Sequence, residues 1–156
     1  MDFLGIGDRL FAFASSLWRR HRFRAKVEID LGWDHLPILS LDGNDPRWRA
    51  ITIEVTAPKA DEFVIAKGTA QAKGKSGSWA PVCKLADLLD LPIVVQANRQ
   101  WHGSISGNSL VTEVKAALPT LEALRLRLIL EDHHGSKVRS NLLAVSLEEL
   151  VREERV

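Results

Sequence analysis

Two antiparallel sheets packed face to face as a β-sandwich, preceded by an amphipathic helix, are the architecture this 156-residue sequence predicts. Three observations carry that expectation. Leu124, Leu126, Leu128 and Leu130 alternate with Arg125, Arg127, Ile129 and Glu131, the period of a strand with one buried face. Several other short segments alternate in the same way between turn signals, and strands with one apolar face are best buried by a second sheet. The first 24 residues instead follow a helical period, with Phe3, Ile6, Leu10, Phe13 and Leu17 on one stripe.

That N-terminal stripe ends at Trp18 in a basic block, Arg19, Arg20, His21, Arg22 and Arg24, with Lys26 just beyond. Positive charge at the end of a helix suits its dipole. The apolar run is far shorter than the roughly 20 residues of a bilayer span. Its charges follow the apolar stretch rather than precede it, the reverse of a secretory signal. Residues 1–24 are therefore expected to be a retained tether or dimerisation element, with a β-sandwich domain over 25–156.

From Ala25 the period changes to two. Val27, Ile29 and Leu31 mark a first strand, and Asp42 to Pro46 a loop. Ile51, Ile53 and Val55 mark a second strand, and Phe63 to Ala66 a third. Lys67 to Ser78, rich in Gly and Lys, reads as a loop or hairpin tip. Leu85, Leu88 and Leu89, between Pro81 and Pro92, suggest a short helix, and Ile93 to Ala97 a fourth strand. Leu110, Val114 and Leu118 fit a helix that Pro119 ends. Leu124 to Ser140 is a hairpin turning at Asp132 to Ser136. Ser146 and Glu149 form a capping box for a short helix near the C-terminus, and the charged tail from Arg152 is expected to fray.

The amphipathic helix with its Arg-rich end, the strand Arg49 to Val55 and the late hairpin Leu128 to Ser140 together resemble small uncharacterised bacterial proteins with an immunoglobulin-like domain. The resemblance implies an immunoglobulin-like sandwich acting as a non-enzymatic module, and it transfers no site residue.

Composition narrows the function classes. Lys and Arg number 21 against 20 Asp and Glu, and this near balance argues against a general electrostatic nucleic-acid binder. Cys83 is the one cysteine, so no intrachain disulfide forms and a cytoplasmic home is the default. Five Trp and no Tyr is a skewed choice, and packing in the core is the ordinary role for each.

Three constellations could carry chemistry. Gly68 to Ser76 resembles a phosphate-binding loop, but five residues separate its glycines where the motif has four, and Trp79-Ala80-Pro81 stands where a helix should begin. His35, His102, His133 and His134 lack metal-ligand spacing, and exposed turn positions are expected for them. Cys83, or Ser104, Ser106 or Ser109 beside a histidine, lacks a nucleophile signature, and a half-buried thiol is expected.

The expected function is thus a non-enzymatic binding or scaffold module. Its sandwich loops would meet a protein partner, with no catalytic residue, cofactor or metal. The candidate interaction residues are Phe3, Leu10, Phe13, Leu17, Trp18, Arg19, Arg20, Arg22 and Arg24, serving self-association or attachment to an anionic membrane surface. Contact of the basic block with nucleic-acid phosphates is the weaker reading. The runner-up is a hydrolase-like or metal-dependent enzyme built from the histidine-bearing loops.

Overall fold

Alternating β-branched and charged residues make the first two strands, and a computed structural model, which describes residues 24–34, 46–75 and 77–155, places them side by side. Strand β1 (Lys26–Asp34) pairs antiparallel with β2 (Pro46–Thr56), Ile29 opposite Ile53 and Glu28 opposite Glu54. The expected helix over 1–24 and the loop Asp42 to Pro46 lie outside the described residues, apart from Arg24 and Pro46.

The remaining elements in chain order are β3 (Phe63–Ile65), β4 (Lys67–Lys73), β5 (Ala80–Lys84), a 3-10 turn (Leu85–Asp87), β6 (Ile93–Val95), β7 (Gln100–Ser106), α1 (Gly107–Ala117), β8 (Ala123–Glu131), β9 (Lys137–Arg139), β10 (Leu143–Ser146), α2 (Leu147–Leu150) and β11 (Glu153–Arg155). In the first sheet β2 lies between β1 and β7, and β11 continues the β7 edge. In the second, β8 pairs with β9 and β10 on one edge and with β4 on the other, and β5 lies beyond β4. A short β3-β6 ladder completes a mainly β, antiparallel chain with open sheets, consistent with the β-sandwich class.

The period-two pattern decides the core. Val27, Ile29, Ile51, Ile53, Val55 and Ile105 of the first sheet join one apolar cluster with Leu124, Leu126, Leu128 and Leu130 of the second. Leu110, Val111 and Val114 of α1 enter the same cluster, and α1 packs on β2 and β5. On the opposite side the Asn141 side chain takes the place of a neighbouring strand on β1. Ile29 N–H donates to Asn141 Oδ1 at 2.7 Å, and Asn141 Nδ2 donates to the Ile29 carbonyl at 2.9 Å. Both backbone groups of an edge residue are satisfied, which otherwise costs about 1–3 kcal/mol for each buried group left unpaired.

The hairpin follows its sequence signal. Asp132 Oδ1 accepts from the N–H groups of His134 and Ser136 at 2.8 and 2.9 Å, an acidic side chain closing its own turn. Ser140 then binds Leu128 in two ways: its N–H donates to the Leu128 carbonyl at 2.9 Å, and its Oγ accepts from Leu128 N–H at 2.8 Å. Ser146 Oγ accepts from Glu149 N–H at 3.1 Å, the expected helix cap.

Four expectations are corrected. Lys67 to Ser78 is not a loop throughout, because β4 occupies Lys67–Lys73 with Ala70 and Ala72 fully buried beside their strand partners Leu128 and Leu126. Small inward residues fit there. At Gly68 a Cβ would stand 2.4 Å from Leu85 Cδ1, so the strand needs glycine to approach that side chain. The short helix expected at Leu85, Leu88 and Leu89 is present only as a single 3-10 turn, Leu85–Asp87, because strand β5 occupies Ala80–Lys84 before it. The tail is paired as far as Arg155 instead of frayed, since β11 pairs Glu153 with Trp48 and Arg155 with Pro46. The four described tryptophans, Trp33, Trp48, Trp79 and Trp101, are half-buried instead of enclosed in the core.

Candidate functional site

Residues opposite the core on β8 are Arg125, Arg127, Ile129 and Glu131, because the alternation that buries the leucines turns these outward. Pairing extends the row. Lys73 lies opposite Arg125, Gln71 opposite Arg127, Thr69 opposite Ile129, and Lys67 opposite Glu131. On the flanks Lys84 lies opposite Thr69, Arg139 opposite Ile129, and Lys137 opposite Glu131. Strands β4, β5, β8 and β9 thus present Lys67, Lys73, Lys84, Arg125, Arg127, Lys137 and Arg139, with Glu131 their one carboxylate. Six residues of rise and three strand spacings make this face roughly 20 Å by 14 Å.

One end of the face is ordered by an aromatic ring. The Arg127 guanidinium lies 4.0 Å from the centroid of the Trp79 ring and Lys73 Nζ lies 5.0 Å from it. Cation–π attraction holds such pairs by about 0.5–1 kcal/mol at exposed sites. Arg127 Nε also donates to Gln71 Oε1 at 2.9 Å, so its plane is fixed from two directions. Partial burial, and to a smaller extent the like charge of Arg139, lower the Arg127 pKa.

The other end opens into two depressions. Lys67, Lys84 and Lys137 rim one of about 500 Å3, with Thr69 and Gln71 in its lining. Arg24, Lys26, Lys137 and Arg139 border a second, of about 710 Å3, where β9 approaches β1. Positive charge therefore continues from the sheet face around its edge.

The opposite side of the molecule has the opposite sign. Glu28, Asp30 and Glu54 stand on the outer face of the first sheet, where Lys26 is bound to Glu28 at 2.6 Å. Gln100 Nε2 donates to Glu54 Oε1 at 3.2 Å. His102 Nδ1 lies 3.6 Å from Glu54 Oε2, but the His102 side chain is 66% exposed, so water screens the pair.

The expected site residues are distributed as follows. Phe3, Leu10, Phe13, Leu17, Trp18, Arg19, Arg20 and Arg22 lie outside the described residues, as does His35; Arg24 borders the second depression. His133 and His134 occupy the exposed hairpin turn, their rings 3.8 Å apart. His102 meets Glu54 on the acidic face, whereas Cys83 belongs to the other sheet. No group of three or more metal-ligating side chains comes together among the described residues. No helix among them is long and apolar enough to cross a membrane.

Cys83 is half-buried against the core, as its apolar neighbours imply. Burial pushes its thiol up to about 11, with the carboxylates of Glu113 and Asp87 adding to the shift. A thiol raised from 9 to about 11 carries about a hundredth of the thiolate of an unshifted one near neutral pH. Iodoacetamide should accordingly label the native chain about a hundredfold more slowly than the unfolded chain at pH 8, followed by mass spectrometry. Equal rates would place Cys83 in a different environment.

Sequence reasoning missed the basic face because its charges come from separate stretches, 67–84 and 125–139, and form no run. The signal available was the outward register of β8, where Arg125 and Arg127 alternate with the leucines. No family model and no curated protein matches the chain. Among solved structures it is similar to Northeast Structural Genomics Consortium target SoR45, at 9% identity over 82% of this chain and 89% of that one, with a TM-score of 0.44. It is also similar to a protein described as ApaA from Bordetella pertussis, at 11% identity over 79% and 93%, TM-score 0.42. For the sporulation control protein Spo0M from Bacillus subtilis the identity is 12% over 78% and 48%, TM-score 0.39. None of these three reaches a TM-score of 0.5, so the basic face stands on its own residues.

Proposed function

We propose that this chain is a non-enzymatic binding or scaffold module that docks an anionic macromolecular partner on the outer face of its second sheet. One observation carries the reading: seven cations and one carboxylate share that face, while Glu28, Asp30 and Glu54 stand on the opposite one. Segregated charge steers a partner of opposite sign to one side and repels it from the other. Sandwich loops were the expected docking elements; the charge pattern favours the sheet face. An immunoglobulin-like arrangement and a cytoplasmic location belong to the same proposal. So does self-association or membrane-surface attachment through residues 1–24, whose basic block runs into Arg24 beside the second depression.

Retention on immobilised heparin tests the docking face. Arg125 and Arg139 are exposed, so reversing both to Glu should leave the fold intact while the salt needed for elution falls by about half. Glu28→Lys with Glu54→Lys should elute no earlier than the parent chain. Equal elution of the parent and the Arg125→Glu, Arg139→Glu variant would sink the proposal.

A further inference from the structure

The geometry points to a single-stranded nucleic acid as the ligand of this face, laid along β8 from the Trp79–Arg127 stack to the lysine-rimmed depressions. This inference rests on the proposed docking face and specifies what it takes. Charge is the first argument. Lys73 and Arg125 form a cross-strand pair at one end, and Lys67 and Lys137 flank Glu131 at the other, so cations line the full length of the strand. The line continues past Arg139 to Arg24. Such a track matches a linear polyanion of several phosphates better than a single small anion.

The aromatic end supplies the second argument. Proteins that hold single strands combine a basic path with π surfaces on which bases stack. Trp79 is half-buried, and Arg127 is stacked on its ring and tied to Gln71, which fixes a second flat surface at the open sheet face. A base can lie on the guanidinium plane that Trp79 supports from beneath, with Lys73 and Arg125 beside it for the adjoining phosphate.

Three other occupants fit less well. A face about 14 Å wide does not enter the roughly 12 Å major groove, so a duplex meets it through phosphates alone and offers no unstacked base to the Trp79–Arg127 surface. A bilayer surface is held by apolar side chains as well as charge. The exposed large hydrophobics among the described residues are Val94, Leu142 and Val151, and none is on β4, β5, β8 or β9. A second copy would bring the acidic face, whose three carboxylates include one already bound to Lys26, against seven cations.

The test is fluorescence anisotropy of the full chain with a labelled oligothymidylate of about twelve nucleotides. Expected is binding whose log K falls with log salt at a slope of roughly −3 to −5, about 0.7 for each phosphate neutralised. Trp79→Ala should weaken it about tenfold, Trp79→Phe should restore most of the loss, and heparin retention should be unchanged in both. No oligonucleotide binding by a chain that heparin still retains overturns the inference and leaves the docking face standing. Loss of heparin retention in the Arg125→Glu, Arg139→Glu variant, together with tighter binding to duplex, polyglutamate or anionic vesicles than to the single strand, overturns it likewise. So does self-association abolished equally by Arg125→Glu and Glu54→Lys with no oligonucleotide bound. If Trp79→Ala leaves the affinity for oligothymidylate unchanged, the stacking role is wrong.

Discussion

Leu128→Asp is expected to abolish folding, while Arg127→Asp, one residue away, leaves a folded chain. Leu128 is 0% exposed, lies opposite Ala70, and has its N–H and carbonyl both bonded to Ser140. A carboxylate at that position meets apolar side chains and no spare donor. An unpaired buried polar or charged group costs several kcal/mol, and removal of the leucine forfeits a further ~1.5–3 kcal/mol of burial. The sum approaches the whole stability of a domain, about 5–15 kcal/mol. Arg127 faces the other way. Its replacement gives up the Trp79 stack and the Gln71 hydrogen bond, about 1 kcal/mol or somewhat more, and the sheet persists. Circular dichroism melts of both variants check the register, and similar melting temperatures would show that β8 is not in the register described.

The legibility of this fold depended on how strongly each strand alternates. In β1, β2 and β8 every inward residue from Val27 to Leu31, Ile51 to Val55 and Leu124 to Leu130 is large and apolar, so the period stands out. Strand β4 alternates too, but its inward residues are Gly68, Ala70 and Ala72, and its outward ones include Lys67 and Lys73. Small residues carry little hydrophobic signal, and two glycines and three lysines between 67 and 75 imitate a turn. Strand β7 hides its pattern for a related reason. Inward Gly103 leaves room for the Trp101 ring, so one large side chain covers two positions. The tail was misread because β11 is three residues of charge, held by backbone pairing to β2 that no side-chain pattern announces. The docking face was concealed by summation. A net charge of +1 describes the chain as a whole, whereas strand pairing gathers seven cations on the outer face of the second sheet and leaves Glu28, Asp30 and Glu54 on that of the first.

Gly107→Ala is expected to be the most damaging of the small substitutions, although it adds only a methyl group. Gly107 is buried where β7 passes into α1. A Cβ built there would stand 1.9 Å from the Leu150 carbonyl oxygen and 2.8 Å from that of Arg49. Both obstacles are backbone, on α2 and on β2, so no side-chain rotation relieves them. Relief requires α2 to withdraw from β2, which exposes Leu150 and strains the bond from Arg49 N–H to the Arg152 carbonyl at 3.2 Å. Overpacking of this kind costs about 1–3 kcal/mol, and the top of that range lowers the melting temperature by roughly 6–12 °C in a chain of this length. Gly103→Ala is the matched control. Its Cβ would also stand closer than contact distance, at 2.2 Å from Cη2 and 2.5 Å from Cζ2 of Trp101, but these atoms end a half-buried side chain, so relief takes a shift of one ring and no movement of backbone. A smaller loss than in Gly107→Ala is expected there, because a side chain yields where backbone does not. Hydrogen exchange separates the two mechanisms: in Gly107→Ala the amides of β11 and α2 should lose protection while those of β4, β8 and β9 keep it. The folded fraction should also retain its heparin affinity, because the basic face belongs to the other sheet. Uniform loss of protection in both sheets would mean that α2 and β11 are not a separable edge but part of the single cooperative unit.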